Sequence, residues 1–135
     1  MPLPVPTLSH ALLMLRGTVA LMFLAHAVVR VVSGSIAQFG AFMEAHGFAQ
    51  GLVWVLLITV YEIGGGLLLA LGLGVTWVCA GLAFIVLMGI VIIHVHLGWF
   101  VGEHGVGGME YSVLLLASLL VVAAADRAER PAAPA

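Results

Sequence analysis

Residues 52–99 read LVWVLLITVYEIGGGLLLALGLGVTWVCAGLAFIVLMGIVIIHVHLGW, and within them Glu62 is the one Asp, Glu, Lys or Arg. A membrane helix needs about 20 mostly apolar residues, so this stretch is long enough for two. The interruption is Gly72-Leu73-Gly74, too short a link for anything except an antiparallel return. The stretch therefore predicts a hairpin of spans at 52–73 and 75–99.

Working outward, two further apolar runs lie at 8–32 and 109–125. The prolines Pro2, Pro4, Pro6, Pro131 and Pro134 all fall outside the four runs, as unbroken helices require. The composition agrees. Of 135 residues, 64% are apolar and 7% charged, against about 25% charged in a soluble domain. A mean hydropathy of +1.27 leaves too little polar surface to coat a water-soluble globule. It also excludes a disordered chain, which would be polar and charged. Four arginines, no lysine and a net charge of -2 provide no basic patch for a nucleic acid. Cys79 stands alone, which excludes an internal disulfide and a cysteine-based zinc site. The expected fold is all-α: an antiparallel four-helix integral membrane bundle, a single domain over 1–135, with a polar tail at 126–135 and the lipid bilayer as its partner.

The linker at 33–51 carries Phe39, Phe42, Glu44 and His46 and reads as an amphipathic interfacial segment. The linker at 98–108 is glycine-rich and holds Glu103 and His104. The first run has no basic leader and contains Arg16, His26 and Arg30, so it reads as a span and not as a signal peptide. Four spans put both termini on one side. Arg16, Arg127 and Arg130 lie toward that side and Arg30 toward the other, so the positive-inside bias predicts cytoplasmic termini in the cell membrane. Trp54, Trp77 and Trp99 sit near span ends and read as interface anchors. His10, His46 and His104 read as solvated.

Ionisable groups inside a span cost roughly 2.5–3.5 kcal/mol each and usually face the bundle interior. Each span here has at least one: Arg16, His26 and Arg30, then Glu62, then His94 and His96, then Glu110. At about 100° per residue, Arg16, His26 and Arg30 share one face. Glu62 shares its stripe with Thr59, Gly65 and Gly66, and Glu110 is grouped with Ala117, Ala124 and Ala125; small residues beside a charge mark helix contact faces. His94 and His96 lie about 200° apart, and His94 is the one expected inside. By depth, His26, Arg30, His94 and Glu110 fall on the linker side, Glu62 near the midplane, and Arg16 toward the termini. These positions predict a polar pocket for a ligand, lined by His26, Arg30, Glu62, His94 and Glu110 and reached laterally from the outer leaflet.

Two readings of Glu62 stand. It is a proton acceptor or hydrogen-bond partner for a quinone head group, or it belongs to a buried ion pair that fixes packing. Arg16 and Arg30 are the candidate partners, and Arg16–Glu62 is the pair expected. Haem ligation by His26 and His94 is conceivable in a bundle, but there is no Cys-x-x-Cys-His motif. His26, Glu62, His94 and Glu110 have metal-ligand chemistry without the Glu-x-x-His repeats of di-iron bundles, so no metal is expected. Cys79 reads as a small core residue.

The run Leu15-Arg16-Gly17 with Phe23, His26 and Arg30 resembles the first helix of the DoxX family. Tyr61-Glu62-Ile63-Gly64-Gly65-Gly66-Leu67-Leu68-Leu69 with Leu71-Gly72 resembles its glycine-rich second-helix motif. His94 with Trp99-Phe100, then Gly108-Met109-Glu110-Tyr111, resembles its later helices. The resemblance runs from about Leu12 to Asp126. Arg30 stands where the family commonly has lysine, and Ala27 where glycine commonly follows the histidine. What the resemblance implies is a four-helix membrane protein tied to redox physiology: thiosulfate:quinone oxidoreduction, terminal oxidases or membrane-anchored oxidative-stress complexes. The chain has no soluble catalytic domain and no nucleotide or flavin motif. The function expected is thus an auxiliary subunit of a membrane redox system holding a quinone-like or other small lipophilic ligand, with redox partner subunits or a second copy as neighbours. The alternative is a structural or assembly protein whose buried charges only specify packing.

Overall fold

The computed structural model describes residues 5–102 and 107–129. Glu103, His104, Arg130 and the prolines at 2, 4, 131 and 134 lie outside the described residues, as do the expectations made for them. Five α-helices follow one another: α1 Leu8–Val32, α2 Ile36–Ala45, α3 Gly51–Leu71, α4 Val75–Ile92 and α5 Glu110–Glu129, with a 3-10 turn at His94–Leu97 between the last two. Four of them, α1, α3, α4 and α5, are long and apolar enough to cross a membrane. They form a closed ring in which α1 packs on α3, α3 on α4, α4 on α5 and α5 on α1, while α2 lies on α3.

Each helix begins and ends for local reasons. The Thr7 side chain accepts from the His10 amide, filling one of the unpaired donors of the first turn of α1. Between α3 and α4, Leu73 N–H donates to Leu68 O at 2.9 Å and Gly72 N–H to Leu69 O at 3.1 Å, the two bonds of a Schellman stop. Gly72 and Gly74 both have positive φ, 74° and 60°, which a side chain would oppose.

The boundaries depart from hydropathy in three places. First, α4 ends at Ile92 and not near Trp99. The apolar run continues through Ile93 and Val95, so composition carries no stop signal; the α-helix breaks at Ile93 (φ -119°, ψ -62°) into the 3-10 turn, and Gly98 at φ 84° then turns the chain. Second, α5 continues through Asp126-Arg127-Ala128-Glu129. Polarity marks where the bilayer ends, not where the backbone stops being helical. Third, the linker at 33–51 contains a helix, α2. Its Gly40 lies so close to Gly51 that a Cβ on Gly51 would meet the Gly40 carbonyl, which seats α2 directly on the start of α3.

Packing is uneven along the bundle. The buried stripes are Val19, Ala20, Phe23 and Ala27 on α1, and Ser112, Leu115, Leu119 and Val122 on α5. The stripe on α3 runs the whole length from Gly51 to Leu69, whereas that on α4 stops at Leu82. Cys79 is a buried core residue. Close approach of α1 and α3 is possible because Gly66 faces Leu24; a Cβ there would come within 2.8 Å of Leu24 Cγ. In lipid, such van der Waals contact rather than hydrophobic burial drives helix association. The termini-side half is therefore a tight four-helix core, and the linker-side half is where it loosens.

Candidate functional site: an apolar cavity with an ionised edge

Above Leu82 the ring encloses a cavity of about 680 Å³. All five helices contribute to its wall, which is dominated by side chains such as Phe23, Phe39, Met43, Ile58, Met88 and Leu115. His26, Arg30, Glu62 and His94 interrupt this apolar lining. The up-and-down topology explains the convergence. Arg30 lies in the last turn of α1, Glu62 halfway along α3, and His94 just past α4, so one end of the bundle collects them.

Arg30 and Glu62 form an ion pair, with Nη1 to Oε2 at 2.6 Å and side-chain exposures of 14% and 7%. The same Nη1 donates to Thr59 Oγ1 at 2.9 Å. Thr59 sits three residues before Glu62 on the same helix face, and its hydroxyl donates to Val55 O at 2.7 Å. That leaves its oxygen free to accept from arginine, so donor and acceptor roles run in one consistent chain. The guanidinium also lies over the Phe39 ring, 5.5 Å from its centroid, within cation–π range.

His94 is placed differently. Among the described residues, its Nδ1 is the buried side-chain nitrogen or oxygen that has no hydrogen-bond partner. It lies beyond the end of the α4 span, where burial and then the neighbouring His26 ring hold its pKa below the usual 6.5. The ring is thus neutral, with one nitrogen able to donate and the other to accept. His96 is exposed. Among the described residues, no three His, Cys, Asp or Glu side chains form a group that could hold a metal ion.

Two sequence expectations require correction. Glu110 is absent from the cavity wall, where its neighbours Tyr111 and Ser112 stand instead. Its Oε1 accepts from Val101 N–H at 2.9 Å, and as the first residue of α5 it sits where a helix N-terminus favours negative charge. The buried stripe of α5 runs through Ser112, Leu115, Leu119 and Val122. The alanines grouped with Glu110 do not define the inner face. Second, Glu62 pairs with Arg30 and not with Arg16. In an antiparallel pair of helices the two positions run in opposite directions. Arg16 therefore meets the far end of α3, where its guanidinium lies against Gly72. It lines a separate recess of about 220 Å³ with Asp126 and Glu129, and Asp126 accepts from Thr76 Oγ1 at 2.8 Å.

Several wall residues were not anticipated. Trp54 lines the cavity rather than acting simply as an anchor, and Phe39 and Met43 close it from α2. The signal for Trp54 was present: with Ile58 and Glu62 it repeats every four residues, which places it beside the ionised face. The amphipathic reading of the linker at 33–51 agrees with the helix α2, but it does not tell that Phe39 and Met43 face the cavity.

A family model, DoxX, matches residues 11–95, which is more than half of the chain and runs from the first turn of α1 past the end of α4. No curated protein and no solved structure matches it.

Proposed function

This chain belongs to the DoxX family, and from that premise we propose that it is an auxiliary component of a membrane redox system that binds a quinone-like or similar small lipophilic molecule in the cavity. The observation that carries this reading is His94, whose ring lines an apolar cavity of about 680 Å³ and whose buried Nδ1 has no hydrogen-bond partner among the described residues. Ligand sites are typically about 300–1,000 Å³, mostly apolar, with a few placed polar groups. A buried polar atom left unpaired is costly, and a ligand oxygen would remove that cost.

The chemistry suits both redox forms of a quinone. A quinone carbonyl accepts, so it needs the Nδ1–H tautomer of His94. A quinol hydroxyl donates, so it needs the Nδ1 lone pair. A neutral imidazole supplies either. Arg30, already committed to Glu62 and Thr59, keeps that side of the cavity polar and fixed. His26 supplies a second imidazole. Cytoplasmic termini fit this proposal: Arg30 lines the cavity inside the bundle and not a flanking loop, so it weighs little against the arginines near the termini. The cavity would then lie in the outer leaflet of the cell membrane.

Trp54 provides the test. Titrating purified protein in detergent micelles with 2,3-dimethoxy-5-methyl-1,4-benzoquinone should quench its fluorescence saturably. Trp54→Phe should lose the saturable component, and His94→Ala should weaken binding about fivefold to tenfold, the worth of one hydrogen bond. Linear, unsaturable quenching that is the same in all three proteins would reject the proposal. One observation favours the structural alternative: Arg30, Glu62, Thr59 and Val55 O satisfy one another with no external partner. That alternative expects solvent extraction of the purified protein to release no quinone and expects no saturable binding.

A further inference from the structure

The direction in which the cavity opens carries a conclusion about the ligand's shape. On α3, Ile58, Trp54 and Leu57 step roughly 40°, 80° and 140° around the helix from Glu62, and all three line the cavity. They step toward α4, the side on which Gly65 faces Val78 and Leu82. On α4, Ile85, Met88 and Phe84 step roughly 60°, 120° and 160° from Leu82, toward α3, and these line it too. The two walls thus face each other and continue to the outer surface of the bundle. The residues at their outer edges are open: Trp54 is 47% exposed, Leu57 57% and Phe84 63%.

Below this level the same two helices are closed. Tyr61 lies over Gly81 so tightly that a Cβ there would overlap its hydroxyl. One turn lower, Gly65 packs on Val78 and Leu82. The Tyr61–Gly81 contact is therefore the sill of a slot. The slot is walled by aromatic and aliphatic groups, lies within two membrane spans, and leads inward to the ionised groups. A water-borne solute would find no polar path through it.

We infer that the cavity opens to lipid between α3 and α4, and that its ligand is a single-tailed amphiphile whose prenyl or alkyl chain leaves through this slot while its head stays inside. This rests on the proposed head-group site and adds the tail as a recognised part of the ligand.

The test compares radiolabelled 2,3-dimethoxy-5-methyl-1,4-benzoquinone with its 6-decyl derivative by equilibrium binding in micelles, scored as the ratio of the two affinities. Leu57→Trp narrows the slot and should lower the decyl-to-tail-less ratio about tenfold, a difference of about 1.4 kcal/mol. Phe84→Ala removes a wall and should lower it severalfold; being exposed to lipid, this site tolerates the change even if Leu57→Trp fails to fold. A ratio equal to that of the wild type in every variant that folds overturns the slot while leaving the head-group site intact. If the wild type binds neither compound, the head-group reading falls and the slot falls with it.

Discussion

Removing one member of the Arg30–Glu62 pair should cost far more than removing both. At an effective dielectric of about 20, opposite charges about 4 Å apart attract by about 4 kcal/mol. Burying each ion costs several kcal/mol, so the intact pair is close to break-even against an apolar replacement. The single variants do not share that balance. In Glu62→Met, Arg30 keeps its charge at a site where its side chain is 14% exposed, retaining Thr59 and the Phe39 ring as contacts. The expected loss is about 3–5 kcal/mol, the cost of an uncompensated buried charge. Arg30→Met should lose less, because a carboxylate can take up a proton and a guanidinium cannot give one up. The double variant should recover at least about 2 kcal/mol of the summed loss.

The assay is a double-mutant cycle on reversible unfolding in mixed micelles, followed by far-ultraviolet circular dichroism. Arg16 supplies the control. It sits against Gly72, ten residues from Glu62 and about 15 Å along α3. Arg16→Met combined with Glu62→Met should therefore add to within about 0.5 kcal/mol. Additive losses for Arg30 and Glu62, or coupling of similar size for Arg16 and Glu62, would refute the reasoning.

Three other outcomes are expected. Nuclear magnetic resonance of ring-labelled protein should place the His94 midpoint below 6.5, the direction set by burial and then by His26. The neutral ring then contributes stability that is in full above about 6.5 and is lost as pH falls through the lower native value; a midpoint at or above 6.5 would contradict the buried, unpartnered placement. Gly81→Val should destabilise by about 1–3 kcal/mol through overpacking against Tyr61, with Tyr61→Ala restoring part of the loss, and unchanged stability would mean that the sill is loose. In intact cells, a membrane-impermeant thiol reagent should label Ala45→Cys and spare Ala128→Cys if the termini are inside, as the arginine bias predicts; the reverse pattern would invert the protein.

How much was legible follows from what each signal measures. Hydropathy reports the solvent, and it located the four spans because lipid demands length and apolarity from every one. It could not report the end of α4 or of α5, where the backbone changes conformation without a change in polarity, or keeps its conformation across one. Charge reported that the interior is polar, since Arg30, Glu62 and His94 would be too costly on a lipid face. It did not report partners. Pairing Arg16 with Glu62 required their levels in the antiparallel arrangement, which the packing of α1 on α3 sets by placing Arg16 against Gly72 at the far end of α3. Nor could composition place Glu110, because a carboxylate at the first position of a helix is satisfied by backbone N–H groups and needs no interior. The distinction has a consequence for function. A carboxylate that serves the Val101 amide and an arginine that serves Glu62 are spoken for, whereas the His94 nitrogen is not. Under the proposed function, the group that lacks a partner inside the protein is the one that would take a partner from outside it.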